Sequence, residues 1–315
     1  VSRASINCIL FDLGSTLWDR SDEAIWATCE NAAAVQTIEV LEDLIPSTKI
    51  MKMDFGWIQQ LYKAIHVREE AIKHDGADKE PDYGAVTMLA LHDLGIESAT
   101  NDIGVAVFEA MRIRSFGSRT LYPDVMTTLA TLQERGYTLG VVTNRDYGGD
   151  VFIDDLYKMG LLAFFDPRFI AISVDLGYRK PHADIFWYTL NGLGCSPTTT
   201  AMVGDNLLAD IWGAQQLGMA TVWRPQQHSI MRKQRQLLKV QQSTIPTQSL
   251  SLAEREDPKE QSLLSTIDSV SPRELFLIAQ QNGMARDQRI AQVREPSFTI
   301  SNIGELTNIF PTRTA

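Results

Sequence analysis

At four places in this sequence an apolar run ends in residues able to do chemistry. Ile6–Phe11 runs into Asp12-Leu13-Gly14-Ser15-Thr16, and Leu139-Gly140-Val141-Val142 into Thr143-Asn144-Arg145. Lys180 stands in Gly177-Tyr178-Arg179-Lys180-Pro181, just past the run Phe169–Ser173, and Thr200–Val203 gives way to Gly204-Asp205, with Asp210 further on. Carboxylates can act as nucleophiles, as acids or bases, or as ligands for hard cations, while a lysine supplies positive charge and hydroxyls donate hydrogen bonds. Each residue alone has a plain structural reading: Asp12 as a strand exit, Thr143 as a helix N-cap, Lys180 as a solvated loop residue, Asp205 as a capping acid. Four such sites in order along the chain are harder to assign to capping. In a parallel sheet all of them fall on the carboxyl edge, where open α/β sheets bind their ligands.

The elements that must position these residues are legible from hydrophobic patterning. The four runs are nearly continuous instead of alternating, as expected of strands buried on both faces. Helical segments separate them, around Val125–Leu132, Val151–Met159, Asp184–Leu193 and Asp210–Leu217, and a further strand is expected at Ala220–Trp223. Strands alternating with helices at this spacing predict a mostly parallel, doubly wound sheet. Between Trp18 and Gly117 the sequence shows no clear strands, and helices are expected at Asp22–Glu42, Phe55–His74, Tyr83–Leu94 and Thr100–Arg114, with Ser21-Asp22-Glu23 as a helix start. The expected organisation is an α/β core from residues 1–17, 118–225 and 295–315, and a helical unit at 18–117. A polar insertion occupies 226–294, with ten Lys/Arg against seven Asp/Glu and Phe276 as its only aromatic residue. Within it Ser243–Glu260 has the composition of a disordered stretch, and the default reading is a tolerated surface excursion. A last strand is expected at Pro296–Ser301 and a closing helix at Ile303–Phe310.

Composition limits the partners. The 315 residues are 44% hydrophobic and the formal charge is −10, so nucleic acid is not an expected partner. Cys8, Cys29 and Cys195 are scattered without metal-ligand spacing, which suits reduced thiols in the cytoplasm. No apolar run reaches the length of a membrane span, and no secretory signal is apparent. Nothing in the sequence sets an oligomeric state.

Taken together, the motifs resemble those of the haloacid dehalogenase-like superfamily of hydrolases. Its first motif, D-x-D-G-T-L, corresponds to Asp12-Leu13-Gly14-Ser15-Thr16-Leu17, and its second, an apolar strand ending in Thr or Ser, to Val141-Val142-Thr143-Asn144. Its third, G-x-x-K-P, corresponds to Gly177–Pro181, and its fourth, G-D-x-x-x-x-D, to Gly204–Asp210. The resemblance covers about Ile6–Arg224, resumes at Pro296–Phe310, and likens the helical unit to the C1 cap of subfamily I. It implies a phosphatase of small phosphorylated metabolites in which Asp12 is the nucleophile and forms an aspartyl-phosphate. It further implies that Mg²⁺ is held by Asp12, the Gly14 carbonyl and Asp205. Lys180 would offset charge, Thr143 would hold a phosphoryl oxygen, and Asp210 would position Lys180 or a water. Ser15, Thr16, Asn144 and Arg145 would contact substrate.

One position departs from the pattern. The family's phosphatases carry a second aspartate where this chain has Gly14, and that carboxyl serves as general acid and base. Three readings follow. Water, Ser15 or Asp19 could take over the proton transfer. The chemistry could instead be phosphonate hydrolysis through a cap lysine (Lys52, Lys63 or Lys73) or dehalogenation. Finally, the domain could bind a phosphorylated ligand or a protein without turning over. Cleft candidates in the helical unit are Trp18, Arg20, Trp26, Trp57, His66 and Arg68.

Overall fold

The computed structural model describes residues 6–45, 53–73, 76–242, 270–284 and 286–313. The expected disorder at Ser243–Glu260 and the candidate Lys52 lie outside these residues. Strand β1 (Cys8–Phe11) is buried along its whole length, and its side chains divide between two cores. Ile9 and Phe11 meet Val141, Val203 and Val222 on one face, while Cys8 and Leu10 meet Val142, Met202 and Phe186 on the other. A strand with period-two geometry and cover on both faces must be apolar at every position, and this one is.

The other strands are β2 (Trp18–Arg20), β3 (Arg119–Leu121), β4 (Thr138–Thr143), β5 (Ala171–Ile172), β6 (Thr200–Gly204), β7 (Ala220–Trp223) and β8 (Phe298–Thr299). The main sheet has the order β5-β4-β1-β6-β7-β8, and every neighbouring pair is parallel. Phe11 is level with Val141 on β4 and with Val203 on β6, so Asp12, Thr143 and Gly204 emerge at the same edge. Helices Val125–Glu134 and Gly149–Lys158 cover one face through Leu129, Leu132, Phe152 and Leu156, and helix Ala183–Leu193 covers the other through Ile185, Phe186 and Leu190. The architecture is the doubly wound α/β fold.

Four helices between β2 and β3 form a cluster of their own: α1 (Glu23–Leu44), α2 (Phe55–Lys73), α3 (Tyr83–Asp93) and α4 (Asn101–Ala110). Leu41, Ile58, Leu61, Ile65, Leu91 and Val107 are buried within it. Asp22, Asp82 and Thr100 cap α1, α3 and α4 by accepting from the backbone N–H three residues on. Where α3 and α4 cross, a Cβ on Gly104 would lie 2.2 Å from the Gly84 carbonyl, so only glycine allows the two backbones to touch.

Strand β2 corrects the expectation that Trp18–Gly117 carries no strand, and its partner β3 follows just after that region. They pair antiparallel, Trp18 with Leu121 and Arg20 with Arg119, and form a ribbon where the chain leaves the core and returns to it. Three-residue strands show too little alternation to be read locally, and each finds its partner across the whole helical unit. The polar stretch 226–294 also makes core contacts. Leu275 and Phe276 of helix Pro272–Met284 are buried together with Val293 against Leu207, Ile211 and Trp223, and Phe276 meets Trp223 edge-on.

Candidate active site

The centre of the sheet edge is a buried lysine. Lys180 is 3% exposed, and its ammonium donates to Asp12 Oδ1 at 2.6 Å and to the Val142 carbonyl at 2.7 Å. It also forms an ion pair with Asp210 Oδ1 at 2.7 Å. Two hydrogen bonds and a second ion pair thus compensate the buried ammonium. Burial alone would lower the Lys180 pKa, but the charges of Asp12 and Asp210 outweigh it and hold the group above its ordinary value. The loop that carries Lys180 is fixed by Asn144. Its side-chain oxygen accepts from the Lys180 N–H at 2.8 Å, and its side-chain nitrogen donates to the Lys180 carbonyl at 3.1 Å. Asn144, named above as a substrate contact, has both ends of its amide engaged in this loop.

Asp12 ends β1, and its second oxygen, Oδ2, accepts from the Thr16 hydroxyl at 3.2 Å. Ser15 sits in the left-handed region at φ 57°. Its carbonyl accepts from Arg224 at 2.6 Å and Gln226 at 2.7 Å. These two side chains, just past β7, brace the turn after Asp12. No local signal marked them, because the partner is a backbone carbonyl some two hundred residues away.

Asp210 reaches Lys180 by way of a wide turn. Residues Leu207–Trp212 form a π-helical segment capped by Asn206, whose side chain accepts from the N–H groups of Leu208 and Ala209. The Asn206 N–H in turn donates to Asp210 Oδ2 at 2.9 Å. The carboxylate folds back onto Gly204, where a Cβ would lie 2.3 Å from Asp210 Cγ. The glycine before Asp205 is therefore a packing requirement of Asp210.

Asp12, Asp205 and Asp210 each place a carboxylate oxygen within 4.8 Å of the others. One lysine cannot balance them. Burial, followed by the charges of Asp12 and Asp210, raises the Asp205 pKa well above the carboxylate range. Burial, with Asp12 adding to it, pushes Asp210 up to about 6 against the attraction of Lys180. A cluster of hard oxygen donors with surplus negative charge fits a divalent cation such as Mg²⁺.

Thr143, 1% exposed, ends β4 beside this group. Arg145 is two residues farther on, its N–H bonded to Ser173 Oγ at 2.8 Å and its guanidinium to Ser115 Oγ at 2.9 Å. Asp19 is exposed and accepts from the Tyr122 hydroxyl at 3.1 Å. Among the cleft candidates, Trp18 is fully buried in the main core against Phe152, Trp57 packs in the helical cluster, and Arg68 pairs with Asp93. Trp26 and His66 line a cavity, as does Lys63. No helix among the described residues is long and apolar enough to cross a membrane.

Comparison with known proteins identifies relatives of this chain. A family model for haloacid dehalogenase-like hydrolases matches residues 6–218. Glyceraldehyde 3-phosphate phosphatase of Pyrococcus furiosus is 35% identical over 69% of this chain and 80% of its own length. The protein of the same name from Methanopyrus kandleri is 29% identical over 69% of this chain and 83% of its own. In fold, a 2-haloacid dehalogenase of Pseudomonas syringae superposes with a TM-score of 0.51 at 20% identity, covering 96% of this chain and 97% of its own. The family match spans the strand ends that carry Asp12, Thr143, Lys180 and Asp205, and the chain belongs to the haloacid dehalogenase-like hydrolases.

Proposed function

We propose that this protein is a phosphoric monoester hydrolase that acts on a small phosphorylated metabolite through an aspartyl-phosphate on Asp12. The observation that carries the reading is the buried Asp12–Lys180–Asp210 system beside Asp205. Phosphatase names among its relatives support the same chemistry. The Asp12 carboxylate attacks phosphorus, the bond to the leaving oxygen breaks, and that oxygen takes a proton from water. Water then attacks the aspartyl-phosphate and releases inorganic phosphate, so one difficult displacement becomes two. Lys180 and Thr16 grip the two oxygens of Asp12 and fix the plane of the carboxylate for in-line approach. Thr143 and the backbone N–H groups of Leu13 and Gly14 donate to the phosphoryl oxygens, where charge develops, the N–H groups of Asp12, Ser15 and Thr16 being bonded to carbonyls. Asp210 holds the Lys180 ammonium in place.

Asp12, the Gly14 carbonyl and Asp205 would hold Mg²⁺, and when bound it supplies the positive charge that lets an anionic carboxylate approach a phosphate dianion. The helical unit of residues 18–117 serves as the cap of subfamily I, setting access and substrate choice. Free thiols at Cys8, Cys29 and Cys195 fit a cytoplasmic setting.

The test is phosphate release from p-nitrophenyl phosphate by native protein and Asp12→Asn, each with and without Mg²⁺. Turnover by native protein alone, and only with the metal, is the expected result. Equal turnover by Asp12→Asn would remove Asp12 as nucleophile. No turnover by native protein, and no phosphate label retained on it, would overturn the hydrolase reading.

A further inference from the structure

Beside the catalytic edge lies a cavity of about 600 Å³, walled by α1 and α2 on one side and by β3 and the segment after β4 on the other. Its lining carries more positive charge than its carboxylates neutralise. Arg20 and Arg119, register partners on the β2–β3 ribbon, both stack on Trp26, at 4.0 Å and 4.7 Å from the ring centre. Arg145 lies over Tyr147 at 5.0 Å. Among the described residues, no carboxylate is within ion-pair distance of these three guanidiniums, whereas Arg112 on the same wall is paired with Glu109. Asp146 also lines the cavity, but it is exposed and beyond ion-pair reach. The Nε of Arg145 is buried without an acceptor. Burial, then the charges of Arg145 and Arg20, lowers the Arg119 pKa, the mark of like charges crowded without a counter-ion.

Such an arrangement costs stability unless an anion completes it, and guanidinium groups grip carboxylate or phosphate through paired donors. Its placement ties it to the catalytic edge. Arg145 lies two residues past Thr143, the last residue of the strand next to β1, and Ser173 fixes its backbone. Ile65, Phe108 and Met111 give the cavity an apolar wall for the carbon body of a ligand.

We propose that this cavity receives a second anionic group of the substrate, so that the preferred esters carry a carboxylate or a second phosphate on the leaving group. The proposal rests on the hydrolase reading for the first phosphate alone. Arg119 and Arg145 bind the second anion, with Arg20 reinforcing them across Trp26.

Calorimetry on Asp12→Asn protein with Mg²⁺ separates this proposal from turnover. The probes are glycerol 3-phosphate, whose remainder is neutral, 3-phosphoglycerate, which adds a carboxylate, and propane-1,3-diyl bisphosphate, which adds a phosphate. One or both doubly anionic probes should bind at least about tenfold tighter than glycerol 3-phosphate, and the preferred one identifies the second group. Adding Arg119→Gln should abolish the preference, and Arg119→Lys should keep part of it. Equal affinity for all three probes, or a preference unchanged by Arg119→Gln, would overturn the proposal. The aryl phosphate assay reads the other question. Turnover with no anion preference would sink the cavity proposal alone, while an anion preference without turnover would sink the hydrolase and keep the cavity.

Discussion

At the scale of single residues, the proposed hydrolysis turns on Gly14, which stands where a general acid–base group would be expected. A general acid–base group contributes roughly 10²–10⁴ in rate, and glycine offers none. Crowding does not explain its presence, because a Cβ built on Gly14 meets nothing within 4 Å and the backbone there is not left-handed. The turn has room for a carboxylate. The substitution Gly14→Asp should therefore be accepted structurally and should raise kcat by about 10² on alkyl phosphates, whose leaving oxygen needs a proton. On p-nitrophenyl phosphate, which departs as a stable anion, the gain should be small. The check is kcat against leaving-group pKa for both proteins, with a flatter dependence expected for Gly14→Asp. An unchanged slope would mean that the native protein already has a proton donor, and Ser15 or Asp19 would then be the side chains to replace.

At the scale of elements, the same physics explains what could be read in advance and what could not. Strands β1, β4, β6 and β7 announce themselves because burial on both faces demands unbroken apolar runs, and the polar residues at their ends stand out against those runs. The Asp12, Thr143 and Asp205 positions were legible for that reason, whereas Lys180, in the loop beyond the two-residue β5, stood out by its place in Gly177–Pro181. The β2–β3 ribbon was not, since its strands are short and its partners are far apart in the chain. The cationic cavity depends on that ribbon, so Arg119 gave no signal either. Equally hidden was the junction where the helical unit rejoins the core. There Asp155, fully buried, accepts from Arg114 Nε at 2.8 Å, from the Ser115 N–H at 2.9 Å and from the Tyr147 hydroxyl at 2.8 Å. In sequence Asp155 looks like one more acid on an amphipathic helix. Replacing it with Ala removes these contacts, but Arg114 keeps Asp154 and the Val151 carbonyl, and the Ser115 N–H and the Tyr147 hydroxyl keep each other's residues as partners. The expected loss is about 2 kcal/mol, below that of a fully broken buried pair because every former partner retains another and Arg114 is two-fifths exposed. Urea unfolding of Asp155→Ala measures it, and a loss below about 1 kcal/mol would show that the junction is held by packing instead.

At the scale of the whole molecule, the core, the helical unit and the polar insertion meet at one ion pair. Arg289 of the insertion grips Asp78 of the helical unit with two bonds, at 2.7 Å and 3.0 Å, and lies over Trp212, which ends the π-helical segment bearing Asp210. Asp78 is 9% exposed and holds a left-handed backbone at φ 50°, which a residue other than glycine adopts at some cost. Its carbonyl accepts from the Arg179 N–H at 2.9 Å, the next residue, Lys79, bridges to Tyr178, and Glu80 pairs with Arg179. The loop that delivers Lys180 to Asp12 is thus tied to the helical unit, and the insertion holds the tie in place. Arg289→Ala leaves the Asp78 carboxylate largely buried without its partner, which should cost about 1–3 kcal/mol, discounted toward the lower figure because Arg289 is 24% exposed. The loss should be local. Hydrogen exchange should quicken at Gly76–Asp82 and Gly177–Lys180 while the central strands keep their protection. Removing both charges with Arg289→Ala and Asp78→Ala should restore part of the stability, because the Asp78 carboxylate is then no longer left buried without its partner, whereas Asp287 loses Arg289 in both variants. Unchanged exchange at Gly177–Lys180 in Arg289→Ala would separate the insertion from the catalytic loop and leave the contacts of Glu80 and Tyr178 as sufficient support for Lys180.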